Sequence, residues 1–363
     1  MDLSLHQQVV FAALMLGVAL GMASVAFRFC TLGAVSDWRL LGDTTRLRSW
    51  ALAAVVAALG LAVFETTGWI DLSGGSFPDY RRAPLPWGRA LLGGALFGLG
   101  MSLASGCVLR NLTRTGSGDL RALCVLLVVG AVAWWMHWGD GYALAFAPWL
   151  GEWTFPAAWP TDAAALMTLA GVPEGESRRA AVLVLGGAAG LWVFRSAAFR
   201  TDREAQRAAL VVGGVVFALW YVTGGRVGTT WQDWAAMEFD VPLHVAPQSA
   251  TLVSPLADLI QVLFVQPAGV TVGMAVAAGS LLGAALYAAG RGHWRLRGFA
   301  GITDALWHLF GAVLMGVGGV LAMGCSLGQG VSGVSTLAFA SLLATGAMVA
   351  GASAGLALRQ RFD

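Results

Sequence analysis

Three cysteines of this chain stand where polar and glycine residues interrupt apolar sequence. Cys30 lies in Phe27-Arg28-Phe29-Cys30-Thr31-Leu32-Gly33, Cys107 in Ser105-Gly106-Cys107-Val108-Leu109-Arg110-Asn111, and Cys325 in Met323-Gly324-Cys325-Ser326-Leu327-Gly328-Gln329. A thiol is a soft, weak hydrogen-bond donor and acceptor, better suited to a sulfur-bearing ligand than to hard phosphate. A neighbouring arginine, such as Arg28 or Arg110, favours thiolate character. Arg110 and Arg114 are four residues apart, so in a helical turn they share a face and could pair around an anion, with loop amides completing the site. The plainer reading makes them topology anchors, with Asp119 neutralising one. Asn111 and Gln329 follow their cysteines by the same interval, and each carboxamide could donate to an oxyanion. The fourth cysteine, Cys124, sits mid-helix in Ala122-Leu123-Cys124-Val125 and reads as inert packing.

Several chemistries are not signalled. No two cysteines form C-x-x-C, so neither a redox dithiol nor a zinc knuckle is indicated. The five histidines are scattered with no i, i+4 pair for a metal, and no metal is expected. No nucleotide-binding motif is present and no cofactor is expected. The near-neutral net charge of +2 argues against a nucleic-acid partner.

The surrounding composition requires a lipid environment. Apolar residues make up 57% and charged residues 12%, about half the charged share of a soluble domain. So few charges cannot cover a water-facing surface of 363 residues, whereas a bilayer accepts an apolar exterior. Windows of about 20 apolar residues predict nine spans. They cover 8–27, 49–65, 88–105, 119–138, 179–198, 207–223, 268–290, 304–323 and 334–357. Two further apolar stretches, 142–150 and 250–265, are too short or too interrupted to cross and are expected as interfacial or half-inserted pieces. The segment at 323–335 is expected to be re-entrant. The first apolar run lacks a basic leader and a cleavage site, so it reads as a span, not a removed signal. Arginines cluster in alternate connections, among them Arg39, Arg46 and Arg48, then Arg291, Arg295 and Arg297. The positive-inside rule then puts the N-terminus outside and the C-terminus in the cytoplasm. Arg81 and Arg82 are the exception, lying among acidic outer residues.

The chain also repeats itself. The stretch from Leu91 aligns without a gap on the stretch from Leu309, placing Gly93, Gly98, Gly100, Gly106 and Cys107 on Gly311, Gly316, Gly318, Gly324 and Cys325. A weaker match sets Gly17, Asp37 and Trp38 on Gly213, Asp233 and Trp234, with Cys30 opposite Arg226. With the arginine-derived orientation, residues 1–150 and 200–363 become inverted-topology repeats of one membrane domain. Residues 151–199 join them through the fifth span. Such a plan with broken helices is frequent among transporters, whose site lies at the repeat interface near the midplane. The expected fold class is therefore an all-α polytopic membrane protein.

The S-G-C-x-x-R-N-L-x-R-x-G-x-G-D-L segment at 105–120 and the A-M-G-C-S-L-G-Q-G segment at 322–330 resemble the YeeE/YedE family of bacterial inner-membrane sulfur-compound transporters. The resemblance covers essentially the whole chain. It implies uptake of thiosulfate or a similar small sulfur anion, handed between Cys30, Cys107 and Cys325 by transient S–H hydrogen bonds. It further implies a cytoplasmic TusA-like sulfur carrier as partner; no such domain follows Asp363, so that partner is expected as a separate chain. Some relatives are linked to selenium compounds, which leaves the cargo open. The rival reading is a membrane sulfurtransferase or thiol oxidoreductase that forms a cysteine persulfide. The lack of C-x-x-C and of a base beside any cysteine weighs against it.

Overall fold

The computed structural model describes residues 4–72, 74–238 and 241–361. Among these residues nine helices are long and apolar enough to cross a bilayer. They are α1 (Leu5–Ala26), α2 (Thr45–Thr66), α3 (Trp87–Leu103), α4 (Leu120–His137), α5 (Glu174–Phe194), α6 (Arg203–Gly224), α7 (Val272–Gly290), α8 (Ile302–Leu321) and α9 (Phe339–Arg359). At 1.5 Å per residue, a 22-residue helix such as α1 or α6 extends about 33 Å, enough for the hydrocarbon core. The starts are written in polar caps. Ser4 forms a capping box with Gln7, Asp119 accepts from the Arg121 and Ala122 amides, Asp202 from Ala205, and Thr271 from Met274. The chain is a multi-pass, all-helical membrane protein.

All nine expected spans are present, with shifted ends. The last begins at Phe339, not 334, because residues 326–335 form a separate short helix whose Gly328–Gly333 turn is a π-helix buried at every position. The fifth begins at Glu174 and ends at Phe194, where Ser196 caps the new Ala197–Thr201 helix. The two short apolar stretches form Gly141–Ala145, Ala147–Leu150 and the eleven-residue Ser254–Phe264, none long enough to span.

Lipid tails are as apolar as leucine, so these helices associate through close packing more than through the hydrophobic effect. Glycines supply the proximity. α3 crosses α8 antiparallel, Gly93 meeting Gly318 and Gly100 meeting Gly311 at backbone contact. α1 runs alongside α7 through Gly17 and Gly279, and α6 lies on α2 where Gly213 faces the Ala53 carbonyl. α9 covers the other side of α3, with Gly351 against Ala95. α5 stands apart, contacting mainly α2 and the Ala163–Leu169 helix, with Leu183, Val184 and Leu191 exposed.

The awkward Arg81 has a structural explanation. It bonds Glu65 at 2.8 Å and reaches Asp162 at 3.3 Å, while Arg178 bonds Asp162 at 3.1 Å and reaches Glu65 at 3.5 Å. Two arginines and two carboxylates thus neutralise each other and tie α2, α5 and the intervening loops. Arg82 takes a different place, on a cavity wall.

Candidate functional site

Four of the long helices stop at a break and continue as a short helix: α1 into Thr31–Ser36, α3 into Val108–Gly116, α6 into Arg226–Met237, and α8 into residues 326–335. Three of these short helices are headed by a cysteine. Cys30 and Cys107 are the N-cap residues of theirs, and Cys325 precedes Ser326 in the same way. Each sulfur faces the amide three residues on. Gly33 N donates to Cys30 Sγ at 3.4 Å and Gly328 N to Cys325 Sγ at 3.3 Å, while Cys107 Sγ sees the Arg110 amide. A helix start exposes unpaired N–H groups, so each sulfur lies against amides able to donate to it. The Arg226–Met237 helix is headed by Gly225 and brings no thiol.

The two Gly-Cys turns share one backbone path. Ser105 and Met323 both take left-handed φ values, +57° and +56°, although neither is glycine. This reverses the chain so that the sulfur enters the interior. The next residue is glycine in both, at φ +159°; a Cβ on Gly106 would also stand 2.8 Å from Arg110 Cγ, whereas one on Gly324 would make ordinary contact with Gln329.

These turns meet. The Cys30 and Cys107 thiols lie within interaction range of each other, and the Ser326 hydroxyl lies within range of the Cys107 sulfur. Thr31 Oγ1 in turn donates to Ser326 Oγ at 3.1 Å. Cys325 is adjacent to Ser326 and close enough to couple electrostatically to Cys107. Cys107 and Cys325 are buried, whereas Cys30 is half-buried. Three segments far apart in sequence therefore place soft sulfurs and two hydroxyls in one cluster. Cys124 is half-buried on α4 and belongs to no such turn.

The two arginines of the first motif are not equivalent. Arg114 bonds Asp119 at 2.8 Å and donates to Ser105 O at 3.2 Å, so its charge is neutralised while it braces the turn. Arg110 makes no ion pair among the described residues, and its charge acts on Cys30. It lines a cavity of about 200 Å³ with Arg114, His293, Arg295 and Arg297, against Asp119 as the one acid. Arg295 and Arg297 arrive because their amides bond the Ser117 and Gly118 carbonyls at 3.1 and 3.2 Å. Gly118 has φ +94°, which glycine alone adopts freely. The carboxamides brace the turns: Asn111 Nδ2 donates to Gly106 O and Cys107 O, and Gln329 Nε2 to Ala322 O. Their N–H groups are thus committed to the loops, and their carbonyl oxygens face the interior without a partner.

Access is divided between two ends of the bundle. Cys30 borders a second cavity of about 170 Å³, with Arg28, Arg46, Trp50 and Asp202 on its walls. On the side of Met323, a third cavity of about 270 Å³ is lined by Asp79, Arg82, Arg89 and His137. Sequence reasoning missed the polar wall of the 326–335 segment. Thr251 Oγ1 against Gly328, Thr345 Oγ1 against Gly330 and Ser341 Oγ against Gly333 are buried without a hydrogen-bond partner, as is the indole N–H of Trp50, whose ring carbons pack on Gly330. These residues come from α2, α9 and the loop before Ser254 and follow no motif. Arg226, set opposite Cys30 by the weaker repeat, instead stacks on Trp69 at 4.7 Å.

A bundle of spanning helices interrupted by polar, cysteine-headed half-helices, with cavities at both ends, defines a membrane transport protein. Residues 27–354 match the family model described as "Sulphur transport", and the chain belongs to that family. It is 25% identical over 348 residues to a protein of Spirochaeta thermophila named thiosulfate transporter TsuA, covering 93% of this chain and 94% of that one. It is also 28% identical over 126 residues, 34% of either chain, to the thiosulfate transporter TsuA of Escherichia coli K12.

Proposed function

We propose that this protein takes up thiosulfate, or a closely similar small sulfur anion, through the bacterial inner membrane. The observation that carries the proposal is the meeting of Cys30, Cys107 and Ser326-Cys325 beside Arg110, a buried cluster of soft donors with one cation left unneutralised. The anion enters from the cavity bounded by Arg82, Arg89 and Met323, passes Cys325 and then Cys107, and leaves past Cys30 towards the Arg28 and Arg46 cavity. Gly106 and Gly324 keep both turns tight enough to present the sulfurs, and Asn111, Gln329 and Arg114 hold those turns. Each step exchanges one weak S–H or O–H hydrogen bond for another, which suits conduction because a site that binds too well does not release. The printed names of the two relatives support thiosulfate as the cargo.

Inverted repeats explain how the cysteines come together. Contacts are reciprocal under the exchange of α1–α4 with α6–α9: α1 packs on α7 as α6 packs on α2, and Gly93 meets Gly318 as Gly100 meets Gly311. Breaks entering from opposite faces then meet at the midplane. The positive-inside arginines place the Cys30 cavity on the cytoplasmic side, the N-terminus outside and the C-terminus inside. There the released sulfur anion is consumed with a TusA-like carrier.

The test is uptake of radiolabelled thiosulfate by cells lacking other thiosulfate routes. Wild-type protein restores uptake, and Cys107→Ala abolishes it while remaining in the membrane at normal levels. Normal uptake by Cys107→Ala would sink the relay. A persulfide on Cys107 or Cys325 after thiosulfate exposure, seen as an added sulfur in intact mass, would favour the sulfurtransferase reading instead.

A further inference from the structure

His137, His244 and Asp258 come from three segments, the last turn of α4, the 241–253 loop and the Ser254–Phe264 helix. Each offers one ligand atom, and these atoms all lie within 4.8 Å of one another. We propose that they bind a divalent metal ion of the zinc class, beside the cavity that His137 lines near Met323. This site is separate from the cysteine cluster and stands whether or not the cargo is thiosulfate.

The need for a cation starts with Asp258. Its residue is 1% exposed, and a buried carboxylate requires a compensating positive group. No arginine pairs with it among the described residues. Its oxygen Oδ1 receives the Trp138 indole N–H at 3.1 Å and lies 3.1 Å from His244 Nε2. A proton on His244 would satisfy that charge with one imidazole. The structure supplies a second, since His137 brings another nitrogen lone pair within reach from an exposed position. That exposure also provides the entry path for an ion.

The ligands are held by their own supports, as metal ligands usually are. Trp138 orients the carboxylate. His244 is stacked on Phe77 at 3.7 Å between ring centroids, and its carbonyl accepts from Gln248 Nε2 at 2.7 Å. Its φ of +59° turns the imidazole back onto Asp258. Two imidazoles and one carboxylate are a zinc ligand set that leaves one tetrahedral position open. Ligand bonds of about 2.0–2.2 Å put neighbouring donor atoms about 3.3–3.5 Å apart, so separations of up to 4.8 Å must close by up to about 1.5 Å. His137, exposed on the last turn of α4, is the ligand to supply this movement. The same cavity carries Arg82 and Arg89 against Asp79, and a bound divalent ion leaves the open position suited to a small anion or water.

The test uses the full-length protein in detergent, purified without a histidine tag and stripped with a chelator. Zn²⁺ retained after desalting is measured by elemental analysis, and Co²⁺ is added separately to read its visible absorption. The expected result is about one ion per chain with tetrahedral-type Co²⁺ bands. His137→Ala and His244→Asn each weaken binding about tenfold or more. His6→Ala and His293→Ala leave it unchanged. His137 is exposed, so its replacement keeps the protein monodisperse and the comparison valid even where Asp258→Asn fails to fold. Absence of a stoichiometric ion in folded wild-type protein overturns the proposal, as does unchanged affinity in both His137→Ala and His244→Asn.

Discussion

At the scale of single residues, the structure separates side chains that look alike in sequence. Arg110 and Arg114 share a motif, yet only Arg114 has its carboxylate, Asp119, at 2.8 Å. Arg110→Ala is therefore expected to lower thiosulfate uptake by about ten- to a hundredfold, the value of one charge-assisted hydrogen bond, with protein levels unchanged. Arg110→Lys should recover part of it. Arg114→Ala should instead reduce the amount of folded protein, because it releases the turn at Ser105 and leaves Asp119 with Arg121 alone. Equal behaviour of the two alanine variants in a paired uptake and expression measurement would contradict the assignment. Ser326 is a second case. Its hydroxyl links Thr31 to the Cys107 sulfur, so Ser326→Ala should slow uptake while leaving thermal stability within about 1 kcal/mol. The cysteines and arginines were legible because polar residues are conspicuous beside apolar runs. Ser326, Thr251 and Ser341 were not, since a hydroxyl in a Gly/Ala/Ser-rich stretch reads as packing until its neighbours are known. The same limit hid His137, His244 and Asp258, whose proximity depends on three segments folding together.

At the scale of elements, hydropathy located every span, because twenty apolar residues leave few alternatives in lipid. What it could not locate were ends set by local polar contacts. The π-turn at Gly328–Gly333 delays α9, and the Asp119 cap fixes the start of α4. Burial alone would raise the pKa of Asp119, but hydrogen bonds from Arg121 and Arg114 outweigh it and hold the carboxyl at about 2. A carboxyl held below its ordinary value adds stability that is complete above that ordinary value and is lost as pH falls through about 2. The cap and its arginine pairs should therefore remain intact from pH 7 down to about pH 4. Asp119→Asn should lower the melting temperature by a similar amount at every pH in that interval; a difference that vanishes by pH 5 would show that the carboxyl is not held low. Helix crossings give a further test. A Cβ on Gly100 would lie 2.5 Å from the Gly311 carbonyl and 2.8 Å from Met315 N. Backbone cannot yield as a flexible side chain does, so Gly100→Leu should cost about 1–3 kcal/mol or more and separate α3 from α8. The melting temperature in detergent reads this directly. Gly187→Leu on α5, where nothing lies within 4 Å, serves as the silent control.

At the scale of the whole molecule, sidedness follows from the directions of the broken helices. The first-half breaks follow α1 and α3, and the break at Cys325 follows α8, which runs antiparallel to α3. The cavity beside Cys30 and the cavity beside Met323 should then open to opposite faces of the membrane, with the cysteine cluster between them. The recurrence of Gly-Cys in register is a property of the sequence, but the meeting of the two turns was not readable there. Alignment gives equivalence, whereas contact between Cys107 and Ser326 depends on how closely α3 and α8 cross. Single cysteines at Asp79 and Asp202, one on each cavity, test the arrangement in a background with Cys30 and Cys124 replaced by alanine. A membrane-impermeant thiol reagent should label Asp79→Cys in right-side-out vesicles and Asp202→Cys in inverted ones. Labelling of both from the same face would remove the inverted arrangement, and with it the reason for α3 and α8 to present their cysteine turns to one another from opposite sides.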